Sequence, residues 1–287
     1  MKKFKSLLVI AGLCVGLLSG CGKESNTNTT VPTTAQSDVL SINCLSVGKA
    51  DAIIIQQGEH AVLIDAGESN DGSAVVSALK NQGISNLDAF IITHYDQDHV
   101  GGAQKVIQNM EIGRIICPDY EGDNAEYGAF VRAVKNKEVE KMDEKDTTTI
   151  QIGESNMTLY AATDKADIMD TKDEFDNNMS LVAKLIYNNN SFLLTGDIEK
   201  KRIKQMLASD IDWSCDWIKI PHHGRYQKFV KKLLEAATPE YAVISTGSDK
   251  PPVEKLEAAL QEANITYYGT MEKNVVTYSD GEKIWIE

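Results

Sequence analysis

Cysteine is sparse in this chain of 287 residues: Cys14, Cys21, Cys44, Cys117 and Cys215, with no two in CxxC spacing. That pattern carries no disulfide framework in a chain of this length, and Cys44 and Cys117, inside apolar strand-like runs, read as small buried hydrophobes. Positive charge is short as well, 29 Lys and Arg against 42 Asp and Glu, for a net charge of −13. Such a surface disfavours avid, non-specific binding to nucleic acid, whose affinity comes from cations neutralising phosphates. It does not exclude a phosphodiester substrate, because bound metal ions would bring local positive charge. Long apolar runs are missing except near the start, where SLLVIAGLCVGLLSG is too short to span a bilayer comfortably.

That early run comes after a basic MKKFK and ends in Leu18-Ser19-Gly20-Cys21. The ending resembles a bacterial lipobox. It implies a signal peptide over 1–20, a diacylglycerol on Cys21 and an extracytoplasmic lipoprotein on the cell membrane; an ordinary secretory signal is the alternative. The polar, Thr- and Asn-rich stretch up to residue 37 reads as a flexible linker over 21–37, leaving 38–287 as the folded domain.

The chain is organised around LDAFIITHYDQDHVGG, Leu87 to Gly102. Its apolar run reads as a buried strand, with His94, Asp96, Asp98 and His99 directly after it. A strand that ends in alternating ligands aims them at one pocket beyond its carboxyl end. Two imidazoles and two carboxylates on one turn point to a metal, since unpaired carboxylates so close would repel.

The order hairpin, acid, helix, strand, histidine occurs twice. It runs through Asp65 to His94, and again through Asp197 to His222 and His223. Two like halves of this kind predict an α/β fold with two sheets packed face to face, helices outside and the ligands meeting at a shared edge. The acid-rich stretch from Asp164 to Asn178 reads as a solvated loop.

Seven blocks in order carry a resemblance: LSVGKADAIII, LIDAG, THYDQDHVGG, NNMSLVAKL, FLLTGDI, IKIPHHG and AVISTG. Together they resemble the metallo-β-lactamase superfamily and, within it, the hydrolase domain of competence-type (ComEC-like) DNA-internalisation proteins. THYDQDHVGG takes the place of that superfamily's HxHxDH motif in an HxDxDH form. The resemblance implies a four-layer αββα sandwich of two similar halves, holding two divalent metal ions, zinc or manganese. It implies His94, Asp96, Asp98 and His99 as direct ligands, Asp197 as the bridge between metals, and His222 or His223 completing the set. No histidine occurs between His99 and His222, where the superfamily usually has one. Asn178 is the replacement expected, with Asp176 a second candidate. Asp98 and Asp197 would be catalytic, and Asp51 and Asp65 would hold histidine N–H groups behind the ligands. Lys49 and Arg225 would hold a phosphate. Lys49-Ala50 for Gln-Gly, Arg225 for Ser and Pro251-Pro252 for His-Pro depart from the family pattern and bear on substrate.

Three functions compete on these grounds. The first is a surface-tethered phosphodiesterase or nuclease. The second is an esterase, lactonase or wall-polymer phosphodiesterase. The third is a catalytically silent metal-binding lipoprotein, which a pocket plugged by Lys49 or Arg225 would favour. The expected partners are an anionic phosphodiester or ester substrate and the membrane holding Cys21; acidic charge disfavours nucleic acid, and the sequence names no protein partner.

Overall fold

The structure, a computed structural model, describes residues 38–169 and 174–287. The signal peptide, Cys21 and the linker expected over 1–37 lie outside the described residues. Among the described residues no helix is long and apolar enough to cross a membrane.

An antiparallel meander, β1 (Leu40–Cys44), β2 (Ile53–Gln57) and β3 (His60–Ile64), opens the fold. Next come α1 (Gly72–Asn81), β4 (Asn86–Ile91), α2 (Gln97–Val100), α3 (Ala103–Asn109), β5 (Glu111–Pro118), α4 (Ala125–Ala133) and β6 (Glu140–Met142). Strands β3, β4, β5 and β6 run parallel. The second half has β7 (Thr147–Ile152), β8 (Ser155–Tyr160), α5 (Lys165–Met169), α6 (Phe175–Asn178), β9 (Val182–Tyr187) and β10 (Asn190–Leu194). It continues with α7 (Lys200–Ala208), β11 (Trp217–Lys219), α8 (Val230–Ala237), β12 (Tyr241–Ile244), α9 (Glu254–Glu262) and β13 (Thr266–Gly269). The hairpin β14 (Val275–Ser279) and β15 (Ile284–Ile286) closes the chain.

Two sheets result, ordered β15-β14-β1-β2-β3-β4-β5-β6 and β13-β12-β11-β10-β9-β8-β7. Side-chain alternation builds the layers. Ile53 and Ile55 enter the core between the sheets, while Ile54 enters the core under α1 and α3. Phe192, Leu194 and Trp217 likewise face the central layer, and Leu193 and Ile218 pack beneath α7 and α8. Three apolar layers thus separate helices, sheet, sheet and helices, the αββα sandwich expected.

One expectation is corrected. The stretch read as a loop from Asp164 to Asn178 carries the short helices α5 and α6. The halves are not closed on themselves, because β14 pairs with β1 and returns the C-terminus to the first sheet. That pairing covers an edge of β1 which would otherwise offer unpaired N–H and C=O groups. Cys44, Cys117 and Cys215 are buried free thiols, and burial pushes Cys44 up to about 12.

Candidate metal centre

Parallel strands send their carboxyl ends to one rim, and the expected ligands sit there. Asp65 follows β3, His94 follows β4, Asp197 follows β10, and His222 and His223 follow β11. The rim backbone is tight: a Cβ on Gly102 would lie 2.2 Å from the carbonyl oxygen of Ala66. Only glycine there lets α3 start against the Asp65 loop and so seat His99, whose carbonyl accepts from Ala66 N at 2.9 Å. Asp65, His222 and His223 all have left-handed backbones, with φ of 56°, 49° and 52°. Strain of this kind persists where surrounding structure enforces it, commonly at functional sites.

Four histidines share one arrangement. His99 Nδ1 lies 2.7 Å from Asp65 Oδ2, and His223 Nδ1 lies 3.1 Å from the Ser245 carbonyl. His222 Nδ1 lies 2.7 Å from Glu199 Oε1. His94 Nδ1 lies 3.0 Å from Thr93 Oγ1, which itself donates to Asp65 Oδ2 and so accepts from the imidazole. Nδ1 of His94, His99 and His223 therefore carries the proton and their Nε2 lone pairs turn to the centre, while His222 Nδ1 lies between Glu199 and the Gln227 amide, 3.2 Å from its Nε2. His223 Nε2 is 3.1 Å, His99 Nε2 is 3.3 Å and His222 Nε2 is 4.0 Å from Asp197 Oδ2. Both His222 and His223 thus face Asp197, and His223 is the closer. Asp98 Oδ2 stands 3.4 Å from His223 Nε2, and Asp96 Oδ2 stands 3.6 Å from His94 Nε2.

The donor set fits divalent cations. The Nε2 atoms of His99 and His223 face each other at 3.3 Å, where two lone pairs repel unless a proton or cation lies between. His94 Nε2 and Asp197 Oδ1 are buried with no hydrogen-bond partner. Ligand atoms of His94, His99 and Asp197 lie within 4.8 Å of one another, as do those of Asp98, His99 and His223.

Other expected residues do different work. Asn178 is not free to bind a metal: its Oδ1 accepts from Glu199 N at 3.3 Å and Arg202 N at 2.9 Å, capping α7. Its Nδ2 donates to the Glu174 carbonyl at 2.7 Å. The other candidate, Asp176, stands near Asp96 and His94 and hydrogen-bonds Tyr120; burial above all holds its carboxyl above the usual range. Asp51 holds no histidine N–H. Its Oδ2 takes Lys219 Nζ at 2.8 Å, and its Oδ1 stays 3.8 Å from His223 Nδ1. Arg225 is exposed beside the histidine turn. Lys49 Nζ lies 3.2 Å from Asp98 Oδ2, against an expected ligand rather than an open phosphate site. Sequence reasoning missed Lys219 and Glu199. The signal for Lys219 was a lysine in the buried strand block IKIP, two residues from Trp217 and hence on its inward face.

The Lys49 pair makes a prediction. An ammonium competes with a cation for Asp98, so Lys49→Gln is expected to raise metal affinity about two- to fivefold, the scale of a partly exposed ion pair. Competition against a chelating dye reads this, and weaker binding by the variant contradicts it.

Electrostatics supply another. Burial alone would push His99 and His223 down, but Asp197 beside both, with Asp65 on His99 and Asp98 on His223, holds them above the ordinary value of 6.5. Asp197 and Asp98 move oppositely. Burial would raise them, yet the His223 and His99 imidazoles hold both below the usual carboxylate range. An imidazole with a raised folded pKa contributes stability in full below its unfolded value and loses it as pH rises through the folded one. The metal-free protein is therefore expected to melt at lower temperature as pH climbs above about 6.5. Metal affinity rises over the same window, because the imidazoles must shed protons to coordinate. Calorimetry in chelator and proton release during zinc titration measure the two; a flat melting temperature across the window contradicts the first.

Residues 45–171 match the metallo-beta-lactamase superfamily profile. ComE operon protein 3 of Bacillus subtilis (strain 168) is 24% identical over 260 residues, covering 83% of this chain and 32% of that protein. Competence protein ComA of Neisseria gonorrhoeae is 22% identical over 241 residues, covering 82% of this chain and 31% of that protein. The chain thus spans about a third of the length of these curated relatives. The crystal structure of Tm1679, a metal-dependent hydrolase of the beta-lactamase superfamily, superposes with a TM-score of 0.57 at 14% identity, over 82% of this chain and 98% of that one. This likeness bears on fold alone. The chain has the fold of the metallo-β-lactamases, matches that superfamily's profile over residues 45–171, and is similar to about a third of the length of those competence proteins.

Proposed function

We propose that the protein is a metal-dependent hydrolase that cleaves an anionic phosphodiester at the outer face of the membrane, held there by a lipid on Cys21. The observation that carries this is the common turn of the Nε2 atoms of His99, His222 and His223 onto Asp197 Oδ2, with the His94 ring against His99 and its Nε2 buried without a partner. A pair of divalent ions, zinc or manganese, would be held by His94, Asp96, Asp98, His99, Asp197 and His223, with His222 on the side of Glu199. Once bound, such ions supply Lewis acidity toward the ester and toward water. The carboxylate share of this set suits manganese as well as zinc.

The chain's own residues orient and shield. Asp65, Thr93 and the Ser245 carbonyl fix three imidazole tautomers and Glu199 holds the His222 ring, so no rotation is needed when a ligand arrives. Asp197, almost fully buried, sets a negative charge between the two halves, while Lys219 beneath offsets part of the acid excess. Arg225, exposed after the histidine turn, would meet a phosphate oxygen.

The Lys49–Asp98 pair favours one rival, a silent domain whose lysine occupies a ligand. Metal analysis of the purified protein, with turnover tested on bis-p-nitrophenyl phosphate and single-stranded DNA, separates the two. Stoichiometric metal with turnover of either ester supports the hydrolase. Full metal with no turnover of either moves the assignment to the silent domain.

A further inference from the structure

Among the described residues two basic side chains are buried, Lys219 and Arg202. Their surroundings differ. Lys219 has the Asp51 carboxylate at 2.8 Å. Arg202, in the first turn of α7 and 1% exposed, has no carboxylate within ion-pair distance among the described residues. Its guanidinium hydrogen bonds both start from Nη2 and go to the carbonyls of Tyr160 and Ala161, at 3.1 and 2.6 Å. Nε is buried with no partner. Burial pulls the guanidinium down to about 10, and no neighbouring charge pushes it back up. It is therefore still a cation at neutral pH. A buried charge surrounded only by dipoles is costly, whereas one beside an opposite charge is offset.

Arg202 lines a cavity of about 70 Å³ between α7 and the paired ends of β7 and β8, and no metal-centre residue shares its wall. Other polar groups on that wall are already engaged. Thr163 Oγ1 donates to Gln205 Oε1 at 3.2 Å, Gln205 Nε2 donates to the Asp164 carbonyl at 2.9 Å, and Trp213 Nε1 donates to the Met206 carbonyl at 2.9 Å. Asp146, the one carboxylate there, is exposed and accepts from Asp143 N at 2.9 Å. Met206, Ile211 and the ring of Trp213 supply apolar surface. Arg202 is thus the one buried charge of the cavity, and its free donor is the unsatisfied group.

We infer that this cavity is a binding site for a small organic carboxylate, its anionic end on the Arg202 guanidinium and a short aliphatic tail against Met206, Ile211 and Trp213. Water satisfies a free N–H but not the charge behind it. A dianion such as phosphate fits less well, because one buried cation does not balance it and too few free donors offset its dehydration. A monocarboxylate matches both the single charge and the apolar wall, and the small volume keeps its tail short. The site does not depend on the proposed hydrolase.

The test labels the full chain with nitrogen-15 arginine and follows the Nε–H signals of its four arginines by NMR. Arg114→Lys, Arg132→Lys and Arg225→Lys, one at a time, assign the Arg202 signal by elimination. Sodium propionate, propionamide and sodium chloride are titrated separately. Propionate is expected to shift the Arg202 signal saturably in the millimolar range and to leave the other three unchanged. Propionamide, of the same shape without the charge, gives no shift. Arg202→Gln is expected to weaken propionate binding, read by calorimetry, about ten- to a hundredfold, the scale of a hydrogen bond to a charged group. Should that variant fail to fold, the wild-type signal decides alone. No saturable shift with propionate, an equal shift with propionamide, or undiminished binding by a folded Arg202→Gln would overturn the site. Saturation by chloride but not by propionate would overturn the carboxylate as its ligand.

Discussion

Asp197→Asn is expected to cut the proposed phosphodiester turnover by on the order of 10³-fold, beyond the roughly 10–100-fold caused by loss of an outer partner of a metal ligand. One oxygen of Asp197 faces the Nε2 atoms of His99, His222 and His223, and the other is buried without a partner. It belongs to two of the candidate ligand clusters, so its charge serves both sides of the centre. Asparagine keeps the shape and removes the charge. It also takes from His99 and His223 the anion that holds their protons in the metal-free state. Metal content by mass spectrometry and turnover of bis-p-nitrophenyl phosphate are measured side by side. A variant retaining full metal and wild-type turnover would remove Asp197 from the mechanism and the bridge with it.

The second large effect is on stability. Lys219 and Asp51 form a fully buried pair at 2.8 Å, with side chains 0% and 1% exposed. Burial would raise the Asp51 carboxyl, but the Lys219 ammonium together with the His223 and His99 imidazoles outweighs it and holds the acid below its usual range. Such a pair adds little over an apolar one of the same volume, yet removing one member strands a charge. Lys219→Met is therefore expected to lower unfolding stability by about 3–5 kcal/mol. The stranded carboxylate would sit beside Asp197, whose repulsion adds to the cost. Urea denaturation measures the change, and adding Asp51→Asn is expected to restore most of it by removing the unpaired charge. An unchanged midpoint in Lys219→Met, or no recovery in the double variant, counts against the pair as the support of the rim.

Local pattern made much of the fold legible. The period of two explains how β2, β10 and β11 divide their residues between inner and outer faces, because a strand repeats every two residues whatever it packs against. The doubled order of hairpin, acid, helix, strand and histidine foretold two sheets and a shared rim. It missed the return of β14 and β15 to the first sheet, since which edge a late hairpin covers depends on where an edge stays unpaired. It missed α5 and α6 because short acidic helices have no apolar stripe to betray them.

At the site, residue types and order were readable from the chain, and partners were not. His94, His99, Asp197 and His223 could be named as a set because a strand end aims the residues just beyond it. Asn178 is engaged at the start of α7, since an amide near a ligand block serves equally well as a helix cap. Lys219 meets Asp51 across 168 residues, and Lys49 meets Asp98 across 49. By itself, then, the amino-acid order determined a two-sheet sandwich with its donors at one rim, through local periodicity and spacing. Which nitrogen each imidazole turns inward, and which carboxylate each lysine neutralises, only tertiary structure decided, because those choices rest on oxygens brought from other strand ends and loops, such as Asp65 to His99, Ser245 to His223 and Asp51 to Lys219.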